Sequence, residues 1–505
     1  MQILPPETSI AVRRRAAPTS EKGLARTDAA AFMVDDRDPA AALAKLPHAA
    51  LWLALHRKTR RTPGTPLLVT RLPNARHTLV AVGFVAAGAS AFERLTLAGK
   101  MMRELVKPGI ASLQCHAAGF DADDAAAALE VLASAALAAA APMPQRKSRP
   151  VPPSALRTID VHGGRGTDLE LATATAAGNH LARWLTTLPP NVLDCVAYRR
   201  ALAQLARREG WSFRFYDERA LARLGAGAFL AVTRANDHRG AGIVRLTYRP
   251  AGARRARRIG LVGKGICFDT GGINLKSHKG MFQMHGDMQG SAVAVGTLLA
   301  LSRRRVPLEI DCWLALTENQ IGPRAYRPQE VVAALNGVTI QVVHSDAEGR
   351  MVLADTLALA ARAKPALLLD FATLTGACVN ALTDRYSGAF TNHAALQSEL
   401  QAAGRASGER VWCFPMDRDF DDELDSAVAD VMQCTMDNKG DHILAARFLS
   451  HFVPADVTWA HVDLSSSERK GGLAHVPTEF TGFGVRFATQ LLGDGALLGR
   501  LESQR

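Results

Sequence analysis

Between residues 259 and 462 the chain carries a succession of short apolar runs, Ile259–Phe268, Leu308–Leu316, Val338–Val343, Ala366–Phe371 and Val457–Val462, separated by segments of helical character. A strand that is apolar along its whole length needs cover on both faces. Such runs alternating with helices therefore predict a mostly parallel sheet packed between helical layers. Upstream, a helix over 196–208, a strand at 213–216, a helix over 218–224 and a strand at 242–248 continue the alternation. A further helical pattern from Leu169 to about Leu188 must stop at Pro189-Pro190, because proline cannot continue the backbone ladder. The proline-rich, basic segment 142–153 marks a domain edge.

At 505 residues the chain is long enough for two or three cores, and 48% hydrophobic with 21% charged residues is ordinary for a globular protein. Aromatic residues make up 6%, which disfavours dense base-stacking or carbohydrate platforms. The first residues lack a basic segment followed by an apolar one, so no secretory signal is read and a cytoplasmic protein is expected. The alanine-dominated stretch Ala125–Ala141 contains Glu130 and ends at Pro142, short of the roughly 20 strongly apolar residues a bilayer demands, so no membrane partner is expected. Seven widely spaced cysteines without a C-x-x-C pair point to free thiols rather than a disulfide framework or a thiolate zinc site. The net charge of +12, with arginine clusters at 13–15, 57–61, 254–258 and 303–305, would allow nucleic acid or another anionic surface as a partner.

Ligands of open α/β sheets bind beyond the carboxyl ends of the strands, and the polar residues of this chain collect there. Lys264 lies inside the first apolar run, which ends in Asp269-Thr270-Gly271-Gly272; Lys276 follows, and Asp287 opens a helix of small residues. His344-Ser345-Asp346-Ala347-Glu348-Gly349-Arg350 follows the run at 338–343, and Thr373-Leu374-Thr375-Gly376 follows the run ending at Phe371. Each acid has a local explanation, Asp269 as a turn former and Asp287, Asp346 and Glu348 at helix starts. Lys264 does not, since a buried ammonium needs a charge partner. Four carboxylates and two lysines on neighbouring loops are explained together by a pair of divalent cations bridged by carboxylates and water. Their four negative charges match two such ions, and Lys264 could serve as a neutral nitrogen ligand.

These residues resemble those of the two-metal leucyl aminopeptidases, also called cytosol aminopeptidases. The segment VGKGICFDTGGINLKSHKGMFQMHGDMQG at 262–290 is similar to the family's first metal and catalytic-lysine segment, SDAEGR at 345–350 to its signature, and TLTGA at 373–377 to its substrate loop. Weaker similarities, LPPNVL at 188–193, GAGAFLAV at 225–232, ENQIGPRAYRP at 318–328 and WAHVDL at 459–464, extend it over about 170–490. The resemblance implies an α/β protein with a small N-terminal α/β domain and a larger catalytic α/β domain whose mostly parallel central sheet is covered by helices. Mapped here, these are residues 1–150, structural or for assembly, a linker and connecting helix at 151–190, and a catalytic domain at 191–505. It further implies hydrolysis of the N-terminal peptide bond of peptides, with a metal-bridging water as nucleophile and two divalent ions (Mn²⁺ or Zn²⁺) per subunit of a homo-hexamer. One ion would be held by Lys264, Asp269, Asp287 and Glu348, the other by Asp269, Asp346 and Glu348. Lys276 would stabilise the oxyanion, Arg350 would hold a bicarbonate acting as general base, and Thr373, Leu374, Thr375 and Gly376 would contact substrate.

The chain departs from the family pattern at three places. His344-Ser345 stands where Asn-Thr is common, DNKGDHILAARFL at 437–449 where a Gly-Gly-Arg segment is usual, and Ser465–Ser467 where Ala-Gly-Thr is common. All three border the expected substrate pocket, so the preferred N-terminal residue stays open. Two other readings compete: a basic nucleic-acid-binding or scaffold role on the same fold, and a metal-dependent phosphate-ester hydrolase. The second would need a phosphate cradle, and the chain has no G-x-x-x-x-G-K-[ST] loop.

Overall fold

The computed structural model describes residues 2–7, 9–59, 67–86, 88–237, 240–252 and 256–503. Six strands, β1 (Ala11–Arg15), β2 (Ala29–Asp35), β3 (Leu67–Arg71), β4 (Leu79–Val85), β5 (Ser112–Ala118) and β6 (Thr158–His162), form a sheet in the order β1-β6-β5-β2-β4-β3. Pairing is parallel except between β3 and β4. β2 and β4 are buried at every position, and the helices Ala91–Leu105 and Ala122–Ala140 pack against one face. β6 falls within 151–190 and belongs to this sheet, so the connector to the next one is the helix Leu169–Thr187.

The larger sheet is built from β7 (Ser212–Asp217), β8 (Gly242–Tyr248), β9 (Arg257–Asp269) and β10 (Leu308–Asn319), and from four later strands. In chain order, β11 (Val331–Ala333) and β12 (Thr339–Gln341) come next, then β13 (Leu367–Ala372), β14 (Ser387–Thr391), β15 (Val411–Cys413), β16 (Val431–Met432) and β17 (Trp459–Asp463). The eight-stranded order is β15-β14-β17-β13-β9-β10-β8-β7, with β17, β13, β9 and β10 mutually parallel. β7, β8 and β14 run antiparallel to a neighbour toward the edges.

The apolar run at 338–343 is not a strand of this sheet. β12 pairs with β11 and β16 in a separate three-stranded sheet. A run of six apolar and polar residues fits a central strand or a short peripheral one equally well, and only tertiary pairing separates the two.

Along β9, alternate side chains enter opposite cores. Ile259, Leu261 and Cys267 join the layer containing the helices Leu169–Thr187 and Gln289–Arg303, whereas Val262 and Ile266 join the layer containing the helix Glu348–Ala361. Lys264 shares the parity of Val262 and Ile266 and therefore points toward the start of Glu348–Ala361. All seven cysteines are unpaired thiols. Several clustered arginines are matched by acids: Arg15 with Asp160, Arg258 with Glu309, Arg303 with Glu209 and Arg304 with Asp168. Arg60, Arg61, Arg254 and Arg255 lie outside the described residues.

Candidate metal centre

At the carboxyl ends of β9, β13 and β17 the chain brings Lys264, Asp269, Lys276, Asp287, Asp346, Glu348, Arg350 and the segment Thr373–Gly376 to one cleft of about 690 Å³. Asp269 is the last residue of β9, and the chain turns away through Gly271 (φ +85°) and Gly272 (φ +64°), a left-handed path that glycine takes at no steric cost. The local explanation for Asp269 holds for one oxygen only: Gly271 N donates to Oδ1 at 2.9 Å, while Oδ2 faces Lys276 Nζ at 2.8 Å. Asp287 is the N-cap of no helix. It follows the short 3-10 turn Met284–Gly286, the next helix begins at Gln289, and its Oδ1 lies 2.8 Å from Lys264 Nζ and accepts from Thr373 Oγ1 at 2.7 Å. Asp346 makes no helix cap either; the residue before the helix Glu348–Ala361 is Ala347, without a side-chain hydrogen bond.

Lys264 Nζ also lies 3.0 Å from Glu348 Oε1 and donates to Thr373 O at 2.9 Å, and Lys276 Nζ lies 2.6 Å from Asp346 Oδ1. Gly349 makes the lysine's position possible, since a Cβ there would stand 2.6 Å from Lys264 Cε. Oxygen atoms of Asp269, Asp346 and Glu348 lie within 4.8 Å of one another. Four carboxylates face two ammonium groups, leaving two formal negative charges in a buried space. Burial, reinforced by the charge of Asp269, pushes Glu348 up to about 8 and Asp287 up to about 6, and raises Asp346. For Lys264 burial acts downward, but Asp287, Glu348 and Asp269 outweigh it and the ammonium is held charged. Lys276 is likewise raised, by Asp269, Glu348 and Asp346 against burial. Asp287 Oδ2 and Glu348 Oε2 are buried without a hydrogen-bonding partner. Unpaired buried carboxylate oxygens in an anionic cluster are an unfavourable arrangement that hard divalent cations relieve. The donor set fits such ions, with Lys264 able to join as a nitrogen ligand once its proton is displaced.

Bicarbonate does not fit at Arg350 in the same way. The Arg350 Nη2 group donates to both carboxylate oxygens of Asp441 at 2.8 Å and Nη1 donates to Gln433 O at 3.0 Å, while Nε is buried without a hydrogen-bonding partner.

Residues given no role in the sequence analysis hold the cleft together. Asn319, at the end of β10, donates from Nδ2 to Asp269 Oδ1 at 2.8 Å and to Ser345 O at 3.0 Å. Ser345, the departure from the usual threonine, accepts from Asn274 N at 2.8 Å and donates to Gly271 O at 2.7 Å, tying the two acidic loops to each other. Asp463, ending β17, accepts from Thr375 Oγ1 at 2.7 Å and Leu374 N at 3.1 Å, and so sets the loop that carries Thr373. His344 stays local, with Nδ1 accepting from Asp346 N at 3.3 Å. Asn319 and Asp463 lie within the weaker similarities ENQIGPRAYRP and WAHVDL, which carried this signal without an assigned role. Asp441 lies in the segment that departs from the family pattern.

Fold and cleft together define an α/β protein with a carboxylate-rich centre suited to divalent ions. The profile of the cytosol aminopeptidase family's catalytic domain matches residues 180–489. A probable cytosol aminopeptidase of Parasynechococcus marenigrum (strain WH8102) is 36% identical over 437 residues, covering 84% of this chain and 88% of the relative. One of Xylella fastidiosa (strain 9a5c) is 40% identical over 345 residues, 68% of each. Among solved structures, the bottromycin maturation enzyme BotP in complex with Mn superposes with a TM-score of 0.79 at 30% identity, covering 92% of this chain and 99% of that one. A mutant of tomato leucine aminopeptidase superposes with a TM-score of 0.81 over 97% of this chain and 98% of that one; at 24% identity it shares the fold. The chain belongs to the cytosol aminopeptidase family. It is a metallo-aminopeptidase, a hydrolase acting on the N-terminal residues of peptides.

Proposed function

We propose that each chain holds two divalent ions, one at Lys264, Asp269, Asp287 and Glu348 and the other at Asp269, Asp346 and Glu348. The carrying observation is the buried cluster itself, in which carboxylates outnumber ammonium groups and two carboxylate oxygens have no partner. When bound, the ions supply Lewis acidity to water and to the scissile carbonyl and a seat for the substrate's free amino group. Manganese or zinc suits the mixed oxygen and nitrogen set, and manganese is present in the complex of the related BotP.

The chain's own residues do the rest. Lys276 reaches the cluster from the cleft side, its side chain 16% exposed against 4% for Lys264, which favours it as the cation that meets the carbonyl oxygen as charge develops. Lys264 is tied to Asp287, Glu348 and Thr373 O, so its part is to order the ligands. Thr373, Leu374, Thr375 and Gly376 form the wall against which the substrate's first residue lies, with Asp463 holding their backbone. Arg350 stays beneath this centre as a fixed positive charge. A cytoplasmic enzyme working on short peptides as a homo-hexamer is the accompanying reading, supported by the naming of the curated relatives for its location; no helix among the described residues is long and apolar enough to cross a membrane.

The test is hydrolysis of a panel of aminoacyl amides and short peptides before and after chelation. Stepwise release of N-terminal residues, abolished by chelator and restored by about two equivalents of Mn²⁺ or Zn²⁺ per chain, is the expected result. Full activity with one ion per chain, or after complete metal removal, would overturn the two-ion reading.

A further inference from the structure

The segment Asp437–Leu449 departs from the family pattern, and the structure gives its first acidic helix residue a place in the cleft. Asp441 opens the helix Asp441–Ser450, preceded by Gly440 in a left-handed conformation (φ +60°) that swings the helix start toward Arg350. Both Asp441 oxygens lie 2.8 Å from Arg350 Nη2, and the two side chains are 13% and 3% exposed. Gln433 completes the arrangement: its backbone oxygen accepts from Arg350 Nη1, and its side chain accepts from Val343 N and His344 N while donating to Ala347 O. The anchor of Arg350 thus also fixes the backbone on either side of Asp346. The carboxylate of Asp441 already balances the charge of Arg350 and holds its Nη2, so a small anion from solution would have to compete with an anion built into the chain.

We propose that Asp441 is a positioning residue that supplies Arg350 with its anion from within the chain, so that this enzyme works without bound bicarbonate. The inference rests on the peptidase reading of the cleft. It concerns a residue type that the family resemblance does not provide, since glycine-rich sequence is usual in that segment. Asp441 also gains from its place at a helix N-terminus, where backbone N–H groups favour a carboxylate.

The experiment uses the metal-loaded full chain in carbon-dioxide-free buffer, with and without added bicarbonate, and follows ¹³C-bicarbonate by NMR line broadening alongside kcat and KM. The wild type is expected to show the same rate in both buffers and no specific broadening. Asp441→Ala opens a carboxylate-sized space and is expected to lose kcat by about 10- to 100-fold with little change in KM, as for other groups that orient a metal site. Bicarbonate or formate should restore most of that loss and ¹³C-bicarbonate should now broaden. Asp441→Asn fills the space with a neutral amide and should be slow and not rescued. A wild-type rate that rises with bicarbonate, specific broadening in the wild type, or an Asp441→Ala enzyme that keeps its full rate in carbon-dioxide-free buffer would each overturn the proposal. If Asp441→Ala melts below the assay temperature, Asp441→Asn and the wild-type NMR decide. Absence of metal-dependent peptidase activity in the wild type would sink the peptidase assignment of the cleft, while bicarbonate binding would still be read independently by NMR.

Discussion

Lys264 and Lys276 are the same residue type a dozen positions apart, yet their surroundings divide their work. Lys264 is enclosed by Asp287, Glu348 and Thr373 O, whereas Lys276 pairs with Asp269 and Asp346 at the edge of the cleft. Lys276→Ala is therefore expected to keep its metal, because it removes a competing cation, and to lose kcat by about 10²- to 10³-fold, as when a donor to a developing oxyanion is deleted. Asp269→Ala should lose metal and activity together. Metal content by elemental analysis beside kcat separates the two, and equal metal loss in both would contradict the assigned roles. Gly349→Ala carries its own expectation. The new methyl group would collide with Lys264 Cε, so stability should fall by about 1–3 kcal/mol, with a loss of metal affinity, in melts with and without added ion.

Elements reach the cleft through specific ties. Ser345 joins the loop after β9 to the loop before the helix Glu348–Ala361, and Ser345→Ala should weaken metal binding about 10- to 100-fold through loss of loop order, measurable by competition with a chelating dye. The same helix is anchored from behind by Asp355, whose oxygens accept from Phe229 N and Leu335 N, both at 2.7 Å. Burial pushes this carboxyl up to about 7 against the pull of those backbone groups. Because the folded value exceeds the unfolded one, the folded state holds the proton more tightly between about pH 4 and pH 7. The stability so contributed is complete below that window and declines as pH rises through it. Asp355→Asn should flatten this part of the pH dependence, seen as a smaller difference in melting temperature between pH 5 and pH 8 than in the wild type. A slope equal to the wild type's would show that Asp355 stays ionised across the window.

The two sheets are joined as one molecule by a buried ion pair. Arg486, on the helix Val485–Leu492, donates from Nη2 to Glu130 Oε2 at 2.6 Å and from Nη1 to Glu130 Oε1 at 2.8 Å, and Glu130 lies on the helix Ala122–Ala140, which packs on the first sheet. Glu130→Ala leaves the guanidinium buried without its partner and should lower unfolding free energy by about 3–5 kcal/mol in denaturant titrations. Activity below the melting transition should be retained, since neither residue lines the cleft. The same glutamate interrupts the alanine-rich stretch Ala125–Ala141, which is too short to read as a membrane span.

Residue order by itself determined the chemistry. Lys264 and Asp269 lie on β9 and Thr373–Gly376 follows β13, so the parallel sheet brings them to one side, whereas Asp346, Glu348 and Arg350 reach the same cleft from the loop and helix that follow β12. Periodicity also located β9, β10, β13 and β17, whose apolar faces need cover whatever the neighbours. Pairing was decided only in three dimensions. β12 left the central sheet and β6 joined the first one, because short strands take their partner from long-range packing rather than from their own composition. The ties made by Asn319, Asp463 and Asp441 were settled in the same way. Each is a single polar residue without a local pattern, and its partner lies 50, 88 or 91 positions away in the chain. Distances of that length are closed by the fold, and the fold alone selects which acid meets Arg350.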